Sequence, residues 1–179
     1  MAQCYRCPQV IENGAGAQEA QTGYAGGISG AEKKRFMCFN MEMVEVVAAI
    51  IEREGEILIG QRQAEQSHPL QWEFPGGKVE AGETPAQALA RELDEELGIR
   101  QAAGEEISRY QFTYPGRDPI LLYFFRVRSF EGEPRNRIFH EMRWESPARL
   151  ASLDFVEGDR DFIRALATQR AADVFEPLP

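Results

Sequence analysis

The chain has few of the side chains that build disulfide or zinc scaffolds. Among its 179 residues only three are cysteines and two are histidines. Three cysteines do not make a disulfide framework, and a zinc site would need a second cysteine pair or nearby histidines. Cys4 and Cys7 form a C-x-x-C pair, but His68 and His140 lie far away along the chain. A metal or redox role for this pair is therefore not favoured.

Long apolar runs and positive charge are also scarce. The longest obvious apolar run is Val46 to Ile51, far below the roughly 20 residues that span a bilayer. Since the N-terminus also lacks an apolar signal core, we expect a cytoplasmic protein with no membrane partner. The net charge is −9, which disfavours stable nucleic-acid binding. A small anionic substrate remains compatible with that charge, because a bound metal can invert the local field.

The composition changes near residue 40. Residues 1–40 are rich in Gly, Ala and Gln and show no periodicity, so we expect a disordered or loosely held extension. The domain is predicted to span residues 41–172, with a frayed tail over 173–179. Met41 and Met43 stand before the first clear strand. We expect the native start to lie there and the leader to be dispensable.

The region after residue 43 alternates strand-like and helical segments. The predicted strands are 44–51, 56–60, 107–113, 120–127 and 142–144, and the helical segments are 147–151 and 156–167, in addition to a central helix. This order predicts an α+β fold, with a mixed β-sheet between helices.

The central helix carries clear start and stop signals. Thr84 is a good N-cap, Pro85 occupies the first helical position, and Gln87 completes a capping box. Gly98 suits a left-handed C-terminal cap. Four apolar residues are expected to face the sheet: Ala86, Ala90, Leu93 and Leu97.

Three carboxylates share one side of this helix. Glu92, Glu95 and Glu96 are spaced i, i+3 and i+4, so they project together. Two such charges about 4 Å apart repel by about 4 kcal/mol at an effective dielectric near 20. A hard divalent cation would remove that cost, and Mg²⁺ or Mn²⁺ takes oxygen ligands.

The spacing over residues 77–99 resembles the Nudix box. That pattern is Gly, five residues, Glu, seven residues, Arg-Glu-apolar, one residue, Glu-Glu, one residue, Gly-apolar. The chain fits it at every fixed position: Gly77, Glu83, Arg91, Glu92, Leu93, Glu95, Glu96, Gly98 and Ile99. The resemblance outweighs the alternative of a solvated acidic helix face.

The flanking segments resemble the MutT branch of that family. They are the Trp-Glu-Phe-Pro-Gly-Gly-Lys run before the box, Glu-Gly-Glu-Pro at 131–134 and Leu-Asp-Phe at 153–155. The fold implied is an α/β/α sandwich around a mixed sheet. The activity implied is hydrolysis of a nucleoside triphosphate to a monophosphate and pyrophosphate, with 8-oxo-dGTP the best-known substrate of the branch.

The resemblance also implies roles for individual residues. Mg²⁺, or Mn²⁺ in its place, would be held by Glu92, Glu95, Glu96 and the carbonyl of Gly76. Arg91 would orient a carboxylate of the box, foremost Glu83, while an i,i+4 pair with Glu95 is the alternative. The predicted substrate-binding residues are Arg62, Glu73, Phe74, Pro75, Gly76, Gly77, Lys78, Arg117 and Asp159. Taken alone, Arg62 and Arg117 would more often be plain surface arginines, and Lys78 would equally suit a solvated surface.

Two positions depart from the family pattern. Where many members have a loop glutamate, this chain has Ile138, and the nearby Glu141 has the phase of a strand residue. The candidates are therefore Glu95 as the general base, or a hydroxide held by the metal without a dedicated base. Where bacterial MutT has a base-reading asparagine, this chain has Asp159. A carboxylate accepts hydrogen bonds, whereas an amide both donates and accepts.

Several functions stay open on the sequence alone. Asp159 makes CTP or dCTP a serious alternative to 8-oxo-dGTP, although this residue would also suit a simple cap of the last helix. An enzyme acting on ADP-ribose or dinucleoside polyphosphates is disfavoured by the MutT-like flanks. A nucleotide-binding regulator without catalysis is disfavoured by the intact carboxylates. Monomer and homodimer are both compatible with the sequence.

Overall fold

The structure of the protein is a computed structural model that describes residues 43–173, with the burial of side chains described as far as residue 168. The predictions for the leader, for Cys4 and Cys7, and for residues 174–179 lie outside this range. Strands occupy Val44–Ile50 (β1), Glu52–Arg53 (β2), Glu56–Gln61 (β3), Trp72–Glu73 (β4), Gly76–Lys78 (β5), Arg100–Phe112 (β6), Ile120–Glu131 (β7) and Glu141–Glu145 (β8). Helices occupy Pro85–Leu97 (α1), Pro147–Leu150 (α2) and Glu157–Asp173 (α3).

The strands form two sheets. The first has the order β5-β1-β7-β6, and it is mixed because β1 and β7 are parallel while the other pairs are antiparallel. The second has the order β2-β3-β4, with β8 also paired to β3. The prediction of an α+β fold with a mixed sheet between helices is confirmed.

Alternation along β1 and β7 divides the core into two layers. Val47, Ala49, Tyr123 and Phe125 face α1 and pack with its buried residues. The residues between them face α3 and pack with Phe162, Ile163 and Leu166. Because strand side chains alternate between faces, each strand supplies both cores. The sheet is thus covered by α1 on one side and by α3 on the other.

Helix α1 begins and ends where the sequence predicts. The Thr84 hydroxyl accepts from the Gln87 backbone N–H, and the Gln87 side chain accepts from Thr84 N–H, which completes the capping box. Gly98 takes the left-handed conformation with φ 70°. The buried face differs from the predicted one, however. It consists of Ala88, Leu89, Leu93, Glu96 and Leu97, whereas Ala86 is exposed and Ala90 is half-buried.

Two strand boundaries were not visible in the sequence. Strand β6 begins at Arg100 rather than near residue 107, since the polar segment 100–106 pairs with the far end of β7 through bulges. Strand β5 forms from glycine-rich backbone that shows no strand pattern, and β1 imposes the pairing. Across the described residues, no helix is long and apolar enough to cross a membrane.

Candidate active site

The glycine pair of β5 brings the backbone close to α1. Gly76 has φ 147°, and a Cβ there would collide with the Val47 carbonyl oxygen, so only glycine fits. The Gly76 N–H donates to Oε2 of Glu96 at 2.8 Å. This bond ties a carboxylate from the last turn of α1 to the strand.

Gly77 faces the other inward carboxylate of the helix. A Cβ on Gly77 would collide with the carboxylate carbon and both oxygens of Glu92. The absent side chain therefore leaves room for Glu92 against β5. Gly77 thus makes room for Glu92 and the Gly76 N–H holds Glu96, two carboxylates from successive turns of α1.

Arg91 is the centre of an ionic cluster. Its Nε donates to Oε1 of Glu83 at 2.8 Å and its Nη2 donates to Oε2 at 3.0 Å, which is a two-pronged pair. The same guanidinium donates to Glu92 Oε1 at 3.0 Å and to the Lys78 carbonyl at 2.9 Å. Its contact with Glu95 is longer, at 3.4 Å. The structure thus places Arg91 principally on Glu83, with the i,i+4 contact as an addition.

The three helix carboxylates lie in different environments. Glu96 is buried, the Glu92 side chain is 14% exposed and that of Glu95 is 59% exposed. Burial raises the pKa of Glu96 to about 8, opposed by the Gly76 N–H and reinforced by the charges of Glu73 and Glu92. Burial likewise raises the pKa of Glu92 despite the nearby Arg91. By contrast, the hydrogen bonds from Arg91 lower the pKa of Glu83.

These groups suit a divalent cation in charge and in ligand type. The charges of Glu73 and Glu92 raise the cost of ionising Glu96, and all three are oxygen donors of the kind that Mg²⁺ takes. A cation among them would remove the repulsion. Within the described part of the chain, no three such side chains surround one point at coordination distance. Arg91 holds Glu92 and Gly76 holds Glu96, so coordination requires side-chain rotation.

A cleft of about 740 Å³ opens beside the glycines. Its lining includes eight of the predicted substrate-binding residues: Arg62, Glu73, Phe74, Gly76, Gly77, Lys78, Arg117 and Asp159. The ninth, Pro75, is buried, and its carbonyl accepts from Ala49 N–H at 2.8 Å. The structure therefore gives Pro75 a contact with β1 in place of a position on the cleft wall.

Arg62 is held by an acidic partner within the cleft. Its Nη1 lies 2.5 Å from Glu73 Oε2, and its Nε donates to the Ser67 carbonyl at 2.7 Å. Burial raises the pKa of Glu73, while Arg62 acts in the opposite direction. Because its donors face Glu73 and Ser67, the Arg62 side chain links two segments of the cleft wall. The other cationic side chains on the lining are those of Lys78 and Arg117.

Asp159 is a buried acid at the start of α3. Its Oδ2 accepts from the Phe74 backbone N–H at 3.2 Å. Burial raises its pKa to about 7, reinforced by the charge of Glu73 and opposed by Phe74 N–H and Arg62. Near neutral pH the carboxyl therefore has both protonation states available, which gives it both donor and acceptor capacity.

Other cleft residues were not predicted from the sequence. Val44 and Val46 form part of the wall, and Val44 is 41% exposed because that wall is open. His68 and Tyr114 also line the cleft, and their rings contact each other with centroids 4.9 Å apart. The alternation along β1 could have indicated the valines. The pairing of His68 with Tyr114 has no local signal, since it joins two separate loops.

The two candidate positions for a loop glutamate lie outside the cleft lining. Ile138 is exposed, and its carbonyl accepts from Gln63 Nε2 at 2.9 Å. Glu141 begins β8, as its phase predicts, and pairs with Arg143 at 3.4 Å. Neither residue supplies a carboxylate beside Glu92 and Glu96.

Comparison with known proteins settles the family, since residues 41–166 match the NUDIX domain. The chain belongs to the NUDIX family. It is a MutT-like Nudix pyrophosphohydrolase, an enzyme that acts on the phosphoric anhydride bonds of nucleotides. Nudix hydrolases generally need a divalent metal, in agreement with the carboxylates around Gly76 and Gly77.

Relatives of this Nudix enzyme carry two substrate names. A CTP pyrophosphohydrolase of Escherichia coli (strain K12) is 42% identical over 132 residues, which are 74% of this chain and 97% of that protein. An 8-oxo-dGTP diphosphatase of Haemophilus influenzae (strain ATCC 51907 / DSM 11121 / KW20 / Rd) is 40% identical over 129 residues, covering 72% and 94% respectively. A structure from work on MutT of Aliivibrio salmonicida and Vibrio cholerae has a TM-score of 0.60 at 34% identity, over 72% of this chain and 99% of that chain.

Proposed function

We propose that this Nudix enzyme is a Mg²⁺-dependent (deoxy)nucleoside triphosphate pyrophosphohydrolase, with Mn²⁺ as a substitute metal and 8-oxo-dGTP as its preferred substrate. Water adds across one anhydride bond, and a monophosphate and pyrophosphate leave. The observation that carries the guanine base is Asp159, a buried carboxyl on the cleft wall with one oxygen held by Phe74 N–H. The oxidised form of that base is supported by the 8-oxo-dGTP diphosphatase of Haemophilus influenzae, which is 40% identical.

The phosphates belong at the β5 end of the cleft. Gly76 and Gly77 expose backbone there, and Lys78 adds positive charge. Arg117 lines the same cleft from the β6–β7 turn. When bound, the divalent ion neutralises phosphate charge and lowers the pKa of water.

The residues of α1 hold and orient that end of the site. Glu92, Glu95, Glu96 and the Gly76 carbonyl are the proposed metal ligands. Arg91 keeps its two-pronged contact with Glu83 when Glu92 and Glu95 turn away from it, so the loop before α1 stays in place. We assign to Glu95 the role of accepting the proton of the attacking water, because its side chain is 59% exposed and can rotate.

The nucleobase belongs beside Asp159. The carboxylate form accepts two hydrogen bonds, which matches the adjacent N1–H and amino group of guanine, a pair that 8-oxoguanine retains. Its fixed oxygen and its burial make the carboxyl a rigid reader, since a ligand that leaves it unpaired loses affinity. The cleft volume of about 740 Å³ accommodates a nucleotide with a two-ring base.

CTP or dCTP is the second candidate, and it is favoured by the other protonation state of the same group. A protonated Asp159 donates one hydrogen bond and accepts another, which matches cytosine N3 and its amino group. With a pKa of about 7, the acid form is available at the lower end of the physiological range. The two candidates therefore differ in the charge state of Asp159.

The testing experiment measures pyrophosphate release with Mg²⁺ at sub-saturating 8-oxo-dGTP, dGTP, CTP, dCTP and ADP-ribose, at pH 6.0 and pH 7.5. We expect kcat/KM to favour 8-oxo-dGTP, and the ratio of 8-oxo-dGTP to CTP to rise with pH as Asp159 ionises. Asp159→Asn should change the ranking of bases and remove the pH dependence of that ratio. Arg135→Met, an exposed charge change distant from Asp159 in sequence, is the control.

Three results would contradict parts of the proposal. A cytidine preference at both pH values would replace the substrate while keeping the mechanism. An unchanged ranking in Asp159→Asn would remove Asp159 from base reading. A folded protein that releases no pyrophosphate from any nucleotide would favour a regulator that binds without hydrolysis.

A further inference from the structure

The first turn of α3, which carries Asp159, is fastened by a tyrosine from β6. The Tyr110 hydroxyl donates to the Gly158 carbonyl at 2.6 Å. The same hydroxyl accepts from the Phe162 backbone N–H at 3.3 Å. Gly158 and Phe162 are spaced i and i+4, the spacing that an α-helical hydrogen bond joins. The hydroxyl therefore bridges a backbone pair that begins in the first turn of α3.

The ring of Tyr110 cannot move independently of the core. It stacks on Phe124 with centroids 5.4 Å apart, and Phe124 stacks on Phe162 at 4.3 Å. Phe124 itself is fully buried. This stack fixes the position of the Tyr110 hydroxyl relative to α3, so the hydroxyl can in turn fix the position of the first turn of that helix.

Asp159 is placed from both sides by this arrangement. Its peptide joins it to Gly158, whose carbonyl accepts from Tyr110, and its carboxyl accepts from Phe74 N–H. A Cβ on Gly158 would lie 3.2 Å from the Tyr114 hydroxyl and from Leu122, so the turn sits tightly on the sheet. Burial raises the pKa of Tyr110, and the charge of Asp159 adds to that rise. The hydroxyl thus stays protonated and continues to donate.

We propose that Tyr110 is a positioning residue for nucleobase selection, because its hydroxyl fixes the turn that presents the Asp159 carboxyl to the cleft. This inference rests on the proposed role of Asp159 in reading the base. Tyr110 is not among the described residues that line the cleft, so it acts through Asp159 without touching the nucleotide. Loss of the hydroxyl should loosen base selection and leave the phosphate chemistry intact.

The test compares Tyr110→Phe, Asp159→Asn and the double variant, with kcat and KM measured on 8-oxo-dGTP, dGTP and CTP. Tyr110→Phe keeps the aromatic stack and removes only the hydroxyl. For this variant we expect the ratio of KM on the poorest of the three substrates to KM on the best to fall about fivefold. Its kcat on the best substrate should stay within about twofold of the wild-type value. In the double variant the ratio should equal that of Asp159→Asn alone, because coupled residues are not additive.

Tyr123→Phe is the matched control. Its hydroxyl donates to Glu45 Oε1 at 3.0 Å on the α1 face of the sheet. It should leave the KM ratio between bases unchanged while lowering the melting temperature by a similar amount. Equal narrowing in Tyr123→Phe and Tyr110→Phe would overturn the proposal, because the effect would then follow from lost stability.

The remaining outcomes separate this proposal from the function beneath it. If Asp159→Asn changes the ranking while Tyr110→Phe does not, or if the two effects add, Tyr110 is no positioning residue and the inference is overturned. If Asp159→Asn leaves the ranking of bases unchanged, Asp159 does not read the base, and the inference about Tyr110 is overturned together with that role. Should Tyr110→Phe not fold, 4-aminophenylalanine at position 110 keeps a donor for Gly158 but is a poor acceptor for Phe162 N–H. It should narrow the ratio in part, and an unchanged ratio would overturn the inference.

Discussion

The carboxylate of Glu92 occupies the space that a side chain on Gly77 would fill. This relationship joins the first position of the Nudix box to its first helix glutamate, 15 residues along the chain. It gives a steric reason for glycine at that position, because Gly77 lies outside the positive-φ region that would require glycine for conformational reasons.

Gly77→Ala should therefore lower kcat/KM by about 100-fold, because a displacement of about 1 Å in a catalytic group is enough for such a loss. The added methyl pushes Glu92 away from β5. The loss should appear in a pyrophosphate-release assay of protein whose fold is verified by circular dichroism. Adding Glu92→Asp, which shortens the side chain, should recover stability without recovering activity. Full activity in Gly77→Ala would show that Glu92 does not act at β5.

Glu96→Gln should abolish turnover, with a loss on the order of 100-fold or more, as expected for a metal ligand. The amide oxygen can still accept from Gly76 N–H, so the metal-free fold should persist. Wild-type protein should gain melting temperature with Mg²⁺ and lose the gain with EDTA, whereas Glu96→Gln should show a much smaller gain. Glu141→Gln, an exposed change on β8, is the control, and a near-normal rate in Glu96→Gln would refute the metal assignment.

Arg91→Lys should reduce both activity and stability, because an ammonium cannot reproduce the two-pronged contact with Glu83. We expect a loss of about 1–2 kcal/mol in the free energy of unfolding, and a fall in kcat. Urea titration and initial rates measure the two effects. Arg128→Lys, which alters an exposed pair with Glu105, should change neither by a comparable amount. Equal stability of Arg91→Lys and wild type would show that the two-pronged contact with Glu83 does not stabilise the fold.

Arg137→Met should destabilise the C-terminus of α1. The guanidinium donates to the Asp94 carbonyl at 2.5 Å and lies where a Gly98 side chain would be. A cation at that helix end and its hydrogen bond together contribute about 1 kcal/mol. Arg135→Met in the same loop is the matched control, since its backbone bond to Leu97 survives the change. Chemical denaturation should give Arg137→Met a lower free energy of unfolding than Arg135→Met. The reverse order would contradict the capping role.

Asp159 should give the fold a pH-dependent stability. Its folded pKa of about 7 exceeds the ordinary value of 3.8, so the folded state holds a proton that the unfolded state releases. The resulting stabilisation is full below about pH 4 and is lost as pH rises through about 7. Asp159→Asn removes this dependence. With EDTA present, the free energy of unfolding of the variant should therefore rise relative to that of wild type by a few kcal/mol between about pH 4 and about pH 7. Parallel stability curves from pH 4 to 8 would refute the raised pKa.

The sequence by itself determined the local framework of the site. Thr84, Gln87 and Gly98 define the ends of α1 because capping hydrogen bonds join residues three or four apart. Helical spacing brought the three carboxylates together, since i, i+3 and i+4 positions meet on any helix, and the resemblance of residues 77–99 to the Nudix box indicated the family. The order of strands and helices similarly predicted a mixed sheet between helices.

The tertiary structure decided which of these residues face one another. Glu96 is buried and Glu95 is exposed, although they are neighbours in one acidic cluster, because β5 and its glycines cover only one side of the helix. Phe74 and Asp159 meet across 85 positions of sequence, and a contact of that range leaves no periodic trace in the sequence. The residues proposed for the phosphate end could therefore be identified from the spacing of carboxylates along α1. The proposed base-reading end forms only once α3 packs on the sheet, because burial gives Asp159 its Phe74 partner and its raised pKa.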